Sequence, residues 1–282
     1  MKRILHVIGK MDRTGAETMI MNLYRTIDQK QFQFDFVVFS DQKGDYDDEI
    51  RALGGQIYKI TESNPIKRMF SLKKLLQTHS EYQIVHSHTL LSTAFHLWAA
   101  KISKVPFRIA HAHSTNDISN KNLAGKLYKY FCLYLLKSIP THYIACGQAV
   151  AKFLFLNQKD VLLLPNAVDT NYFSEIGAAE KEYLNNEFNI NNNCLKIIQV
   201  GRLQPVKNHE FSIQIANELK RKDINFKMFF VGQGELHDDL KSEIALKNLS
   251  KEIHLLGVRS DIPQLMAGAD VLLMPSLHEG FP

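Results

Sequence analysis

Short apolar runs alternate with amphipathic stretches along most of this chain, and this alternation predicts parallel βαβ units. Many of the apolar runs are nearly continuous, as expected for strands that helices cover on both faces. In the first part of the chain we predict strands at residues 3–8, 34–39, 56–60, 84–86, 107–111, 143–145 and 161–164. Helices are predicted between them at residues 16–27, 66–78, 90–102, 123–137 and 149–156.

A turn-rich and then asparagine-rich segment follows Pro165, and a second alternating series begins after it. We predict an α/β fold with two Rossmann-like domains, at residues 1–165 and 194–282, with a linker and the start of the second domain at 166–193. The second domain is incomplete, because a whole one needs roughly another two or three βα units. In this series we predict strands at 195–200, 227–231, 253–256 and 271–274, and helices at 210–222, 236–249 and 262–267.

The composition is that of a globular protein, with 45% hydrophobic and 22% charged residues among 282. No apolar run approaches the ~18 residues of a transmembrane helix. The mild net charge of +5 suits an anionic substrate or an anionic membrane surface, and no nucleic-acid motif accompanies it, so we expect no nucleic-acid partner. The three cysteines are far apart and form no disulfide or metal pattern, which favours a cytoplasmic location.

The most informative local pattern follows the strand predicted at 195–200. That strand ends at Gly201, and Arg202 and Lys207 follow, with Asn208 placed to cap the next helix. Two cations and a helix N-terminus at the carboxyl end of a strand make a site for a diphosphate. The alternative is a solvated loop with two surface cations, and the strand-to-helix context favours the phosphate site.

Three other loops at predicted strand ends carry candidate residues. Gly232 and Gly234 follow an apolar strand, where they fit either close backbone approach to a ligand or a plain tight turn. Gly15 opens a helix after the first strand, so its amide can face a polar ligand. Glu279 follows the last predicted strand and fits either a sugar-binding acid or an ordinary polar turn.

Two His-x-His pairs stand at the ends of two other predicted strands: His86 with His88, and His111 with His113. This spacing suits metal ligation, but no cysteine or carboxylate joins the pairs closely in sequence, and we predict no metal site. A histidine at a strand end can also bind a substrate hydroxyl or transfer a proton. A purely structural role stays open for each, least so for His113, which a polar segment follows.

Lysines at 126, 129 and 137 are mixed with aromatic residues over 121–137, a stretch that is predicted to be helical. Such a helix can lie on an anionic membrane surface. We favour the interpretation that this helix is half-buried in the domain, because apolar residues lie on nearly all of its faces.

Together these motifs resemble the GT-B glycosyltransferases of family four, which are retaining enzymes that use nucleotide sugars. Within that family the chain resembles the bacterial transferases of capsular and exopolysaccharide assembly, over essentially its whole length. The matching segments are residues 15–18, 110–114, 165–169 with Phe173, 201–203, 207–208, 231–236, 257–262 and 275–282.

The resemblance implies that the first domain binds the acceptor and the second binds the sugar nucleotide. It implies that Arg202 and Lys207 hold the donor diphosphate, near Gly15, so that neither a metal nor another cofactor is required. Glu279 matches the first member of the family's glutamate pair, beside the transferred sugar. His113 matches the histidine near the reacting sugar, with His111 as the second choice.

We therefore expect transfer of a hexose from a nucleotide sugar, UDP-linked by analogy, to a carbohydrate or lipid-linked acceptor in surface polysaccharide synthesis. The enzyme is expected in the cytoplasm, with peripheral contact to the inner face of the membrane. The second glutamate of the pair would fall past Pro282, so we expect a truncated chain with weak donor binding and poor turnover. A GT-B nucleotide-sugar epimerase and a non-catalytic sugar-nucleotide-binding remnant remain alternatives.

Overall fold

The structure, a computed structural model, describes residues 1–115, 122–156, 158, 160–168 and 170–277. The described residues divide into two compact units, the first ending at Val168 and the second comprising the remainder. Each unit is built on a parallel sheet, and every strand predicted from the sequence is present. The prediction of two Rossmann-like α/β units is therefore confirmed.

The first unit contains seven strands and six α-helices among its described residues. The strands are β1 (Lys2–Val7), β2 (Phe32–Val38), β3 (Ile57–Lys59), β4 (Ile84–Ser87), β5 (Phe107–Ala112), β6 (His142–Ala145) and β7 (Val161–Leu163). The helices are α1 (Gly15–Thr26), α2 (Asp47–Ala52), α3 (Pro65–Thr78), α4 (Thr93–Ile102), α5 (Leu123–Leu136) and α6 (Gln148–Phe155). The strand order is β3-β2-β1-β4-β5-β6-β7, so the direction of winding reverses between β1 and β4.

The second unit contains four strands and five α-helices among its described residues. The strands are β8 (Leu195–Val200), β9 (Phe226–Val231), β10 (Ile253–Gly257) and β11 (Val271–Leu272). The helices are α7 (Thr170–Ala179), α8 (Tyr183–Phe188), α9 (His209–Arg221), α10 (His237–Leu246) and α11 (Ile262–Ala267). The strand order is β10-β9-β8-β11, and the winding reverses between β8 and β11.

Local chemistry explains where several helices begin. The side chain of Asn64 accepts hydrogen bonds from the amides of Ile66 and Lys67, and Pro65 occupies the first turn of α3. Asn122 likewise accepts from the amide of Gly125 at 2.8 Å and caps α5. These caps place α3 and α5 at the positions that the sequence pattern predicts.

Three helices were not predicted. The helix α2 has six residues and three acids in its first turn, so it is too short to show an apolar period. The helices α7 and α8 lie in the segment expected to hold the linker, and both pack against α11. Leu184 of α8 is fully buried in this contact. Residues 166–193 therefore include helices that pack into the second unit, which their turn-rich composition obscures.

The structure also bears on the cysteines, on the helix α5 and on membrane-spanning helices. Cys132, Cys146 and Cys194 are free, and all three are buried. The helix α5 is half-buried, as predicted, with Cys132, Leu133 and Leu136 on its inner face. Within the described part of the chain, no helix has both the length and the apolar character needed to cross a bilayer.

Candidate functional site

The loops that follow β8 and β11 flank the reversal of winding in the second sheet. In open α/β sheets, ligands bind at this point, beyond the carboxyl ends of the strands. Arg202 and Lys207 lie in the loop after β8, and Pro275 and Leu277 lie after β11. The sheet order thus brings together two of the segments that the sequence singled out separately.

Two hydrogen bonds join these loops. The side-chain amide of Asn208 donates to the carbonyl of Pro275 at 3.2 Å, and the amide of Leu277 donates to the carbonyl of Val206 at 2.8 Å. Asn208 was predicted to cap α9 with its side chain, and this prediction is wrong. Its left-handed backbone, with φ 54° and ψ 45°, differs from the extended conformation of a capping residue, and its side chain makes no capping bond.

A buried polar network fixes the backbone of Lys207. The side chain of Gln199 donates to the carbonyl of Lys207 at 2.8 Å and accepts from the hydroxyl of Ser212 at 2.7 Å. Gln199 and Ser212 are 3% and 0% exposed. Because buried polar networks hold groups rigidly when each member is satisfied, the loop is ordered before any ligand arrives.

The two cations differ in their surroundings. Arg202 is exposed, and the described part of the chain offers its guanidinium no hydrogen bond or ion pair. The stem of Lys207 lies along Gly201, since a Cβ on Gly201 would stand 3.4 Å from Cδ and Cε of the lysine. One cation is therefore positioned by packing, while the other is available to an anion.

Gly232 and Gly234 permit close contact between the loops after β8 and β9. A Cβ on Gly232 would stand 2.1 Å from the carbonyl oxygen of Gly201, and one on Gly234 would stand 2.3 Å from that of Leu203. The amide of Leu203 donates to the carbonyl of Gln233 at 3.1 Å in the same contact. These glycines therefore allow a close approach between two loops of the protein itself, and their predicted approach to a ligand stays a prediction.

Gly15 is the first residue of α1 and is exposed, as the sequence predicts for a helix N-terminus. A Cβ there would meet nothing within 4 Å, so packing does not require a glycine. Thr14, which immediately precedes α1, donates a hydrogen bond to the carboxylate of Glu17 in the first turn. That hydrogen bond directs the Glu17 side chain toward the N-terminus of α1.

Five histidines of the first unit form one cluster at β1, β4 and β5. The ring nitrogens of His6 and His88 are 3.0 Å apart, those of His86 and His111 are 3.2 Å apart, and those of His88 and His113 are 2.8 Å apart. Only four of these residues were identified as candidates from the sequence, and His6 was missed. The available signal was a polar residue within an otherwise apolar strand, and the same signal marks Gln199 in β8.

Burial lowers the pKa of every histidine in this cluster. The pKa of His113 falls to about 4 and that of His6 to about 3, and those of His86 and His88 lie well below the ordinary value. The rings are therefore neutral near pH 7, when each carries one donor and one acceptor nitrogen. His113, which is partly exposed at the end of β5, can accept a proton or a hydrogen bond from a bound hydroxyl.

Glu279 lies outside the described residues, so its predicted place beside the sugar stays a prediction. The roles assigned to Arg202, Lys207, Gly15 and His113 likewise stay predictions, although the structure places each of them at the carboxyl edge of its sheet.

Comparison with known families decides the class of protein. The family described as Glycosyltransferase Family 4 matches residues 13–172, which is more than half of the chain, and the family described as Glycosyl transferases group 1 matches residues 180–282. The chain belongs to glycosyltransferase family 4. This glycosyltransferase is also 35% identical to EpsF of Bacillus subtilis, a protein named as a glycosyltransferase, over 100% of the chain and 75% of EpsF.

Other relatives agree with this assignment. The glycosyltransferase is 29% identical to an Escherichia coli enzyme named UDP-Gal:alpha-D-GlcNAc-diphosphoundecaprenol alpha-1,3-galactosyltransferase, over 99% of the chain and 75% of that protein. A crystal structure of Anabaena Alr3699/HepE with UDP and glucose matches it with a TM-score of 0.78 at 18% identity, over 100% of the chain and 76% of that one. The GT-B fold expected from the sequence is thereby confirmed.

Proposed function

We propose that this glycosyltransferase moves a hexose from a UDP-sugar to a carbohydrate or lipid-linked acceptor, with retention of configuration and without a metal ion. The observation that carries the proposal is the placement of Arg202 and Lys207 in one ordered loop at the winding reversal of the second sheet. The donor sugar and the acceptor class are supported by the name of the E. coli relative and by the ligands of the Anabaena structure.

Fixed positive charge is the chemistry that this loop offers. As the bond between sugar and diphosphate breaks, negative charge accumulates on the leaving group, and cations already in place stabilise it without reorganisation. Arg202 supplies a planar fork for phosphate oxygens, whereas Lys207 adds a point charge held by its stem against Gly201. These two side chains would do the work that a divalent ion performs in other transferases.

The remaining assignments follow the family resemblance. His113 would bind the reacting sugar through its neutral ring, and the exposed N-terminal amide of Gly15 would face the diphosphate. Glu279 would contact the transferred sugar. We assign no enzymatic nucleophile, and the departing phosphate would take the acceptor proton on the same face of the sugar.

Nucleotide binding tests the donor assignment. Among UDP, GDP and ADP, UDP at about a hundred times its dissociation constant should stabilise the chain by roughly 2.7 kcal/mol in thermal unfolding. Arg202→Ala and Lys207→Ala should each weaken UDP binding measured by calorimetry, and each should raise the transfer barrier by roughly 3–4 kcal/mol. Arg221→Ala and Lys241→Ala are matched controls, because they remove exposed cations on α9 and α10, away from the loop. Equal UDP affinity in all four variants would refute the site.

Transfer itself needs separate assays. The anomeric configuration of the product, read by nuclear magnetic resonance, should equal that of the donor, and excess EDTA should leave the rate undiminished. Inversion would contradict the stereochemical assignment, and loss of activity in EDTA would contradict metal independence. Release of UDP without any acceptor-dependent product would favour the epimerase alternative.

We further propose that α5 contacts an anionic membrane surface, where a lipid-linked acceptor would reside. Its outer face exposes large apolar side chains next to the exposed Lys126 and Lys137. Apolar side chains can enter the headgroup region, and each nearby lysine adds about 1 kcal/mol of attraction to anionic lipid. The exposed apolar residues are Leu123 (73%), Leu127 (63%), Tyr130 (70%), Phe131 (45%) and Tyr134 (69%).

Vesicle sedimentation tests this contact. The protein should bind vesicles rich in phosphatidylglycerol and release them at high salt, and Leu127→Glu should abolish binding. Leu246→Glu is the matched control, because Leu246 is a leucine that is 83% exposed on α10 in the other unit. The same loss in both variants, or equal binding to phosphatidylcholine vesicles, would refute the proposal.

A further inference from the structure

The histidine cluster of the first unit contains two overlapping groups of three imidazoles with the spacing of a metal site. In each group, one ring nitrogen per residue lies within 4.8 Å of the others. One group is His88, His111 and His113, and the other is His6, His86 and His88. We propose that His88, His111 and His113 bind a divalent transition-metal ion, of which Zn²⁺ and Co²⁺ are the test cases.

The two groups share His88, so a single ion uses one of them at a time. His6 is 1% exposed and packs against Phe34 and Phe36, so its ring lies away from solvent. His113 is partly exposed at the carboxyl edge of the sheet and offers an ion a route from solvent. The structure therefore favours the group that contains His113.

Unsatisfied nitrogens occur in both groups, with Nε2 of His6 in the other group. Nε2 of His111 and Nδ1 of His113 are buried and find no hydrogen-bond partner among the described residues. A buried polar atom without a partner carries a desolvation cost, which an ion that accepts the lone pair of Nε2 of His111 would relieve. Nδ1 of His113 would instead keep the ring proton when Nε2 of that residue binds the ion. Because burial lowers the pKa of all three rings, they are already neutral, as metal ligation requires.

The three ligand nitrogens, which lie within 4.8 Å of one another, would have to move to the spacing of a tetrahedral site. Zn–N bonds of about 2.0–2.1 Å in a tetrahedral site place ligand nitrogens roughly 3.3 Å apart. Nδ1 of His88 and Nε2 of His113 are 2.8 Å apart, so the rings would separate by about half an ångström. When His88 ligates through Nδ1, its proton can remain on Nε2, where Nδ1 of His6 lies 3.0 Å away to accept it.

Three imidazoles leave one position of a tetrahedral ion open to water. Under the proposed function, on which this one consequence rests, His113 is the residue that meets the reacting sugar. An ion that ligates His113 would remove it from the sugar, so Zn²⁺ should inhibit transfer and EDTA should restore it. This is compatible with a transfer reaction that needs no metal.

Titration of the untagged protein with Co²⁺ tests the site without any sugar nucleotide. We expect one equivalent of Co²⁺ to produce the visible absorption of a tetrahedral complex, and equimolar Zn²⁺ to remove it. His113→Ala should weaken Co²⁺ binding at least tenfold, whereas His6→Asn should retain it. His142→Ala is the matched control, because His142 is an exposed histidine of β6 outside both groups.

Three results of the Co²⁺ titration would overturn the proposal. No absorption at one equivalent, or equal affinity in wild type and His113→Ala, would overturn the proposal. Loss of binding in His6→Asn with retention in His113→Ala would overturn it too, since the ion would occupy the other group. The Co²⁺ titration and the UDP-binding assay are independent of each other. A negative result in one therefore refutes its own proposal and leaves the other proposal unaffected.

Discussion

The contact between the loops after β8 and β9 can be dissected by placing alanine at four glycines of the second unit. Gly234→Ala puts a methyl group 2.3 Å from the carbonyl oxygen of Leu203 without left-handed strain. Gly257→Ala meets nothing within 4 Å but keeps a φ of +67°. Gly232→Ala combines a φ of +138° with a contact of 2.1 Å, and Gly177→Ala in α7 has neither defect.

These geometries predict four different changes in the free energy of unfolding. Overpacking against backbone costs about 1–3 kcal/mol, which applies to Gly234→Ala. Left-handed strain costs about 1–2 kcal/mol, which applies to Gly257→Ala. Gly232→Ala should cost about the sum of the two, roughly 2–5 kcal/mol. Gly177→Ala should stabilise by up to about 1 kcal/mol, since glycine inside a helix is unfavourable.

Differential scanning calorimetry measures the series. For a unit near 100 residues, each kcal/mol corresponds to about 4–8 °C in Tm. Trp98, the only tryptophan, lies in α4 of the first unit, so its fluorescence identifies the transition that belongs to that unit. A wild-type Tm for Gly234→Ala, or the same Tm for Gly232→Ala and Gly257→Ala, would show that the loops do not touch as described.

Three further substitutions probe buried polar groups. Asp35→Asn should destabilise the chain by about 3 kcal/mol in urea, because Asp35 is fully buried and its partner Arg3 would lose its counter-ion. Burial lowers the pKa of His96 to about 3, below the ordinary value of 6.5. The contribution of the neutral ring to the free energy of unfolding is therefore complete above pH 6.5 and is lost as the pH falls toward 3. At pH 5 the loss should be about 2 kcal/mol. His96→Asn should flatten this pH dependence in urea titrations at pH 7 and pH 5. Gln199→Leu should cost about 1–3 kcal/mol by unpairing Ser212 and should weaken UDP binding in calorimetry.

The outcomes that would contradict these three expectations are distinct. An unchanged urea midpoint in Asp35→Asn would deny the ion pair. Equal pH slopes in wild type and His96→Asn would deny that this ring is buried neutral. Wild-type UDP affinity in Gln199→Leu would show that the network does not order the Lys207 loop.

The sequence alone determined the alternation of strands and helices and the loops in which the cations and glycines lie. Apolar periodicity and strand length are local properties, so all eleven strands that the structure describes could be predicted from them. The unpredicted helices α7 and α8 are short, and packing against α11 supports them more than any periodicity of their own. The incorrect cap at Asn208 has a similar origin, since a local rule could not foresee the hydrogen bond to Pro275.

Only the tertiary structure decided which distant residues meet. The two His-x-His pairs have a spacing that suits metal ligation, but weighed separately they led to the prediction of no metal site. The parallel register of β1, β4 and β5 places His6 beside His86 and brings His88 to His113. Such a cluster depends on which strands are neighbours and at what offset, and these are non-local properties that no window of sequence contains.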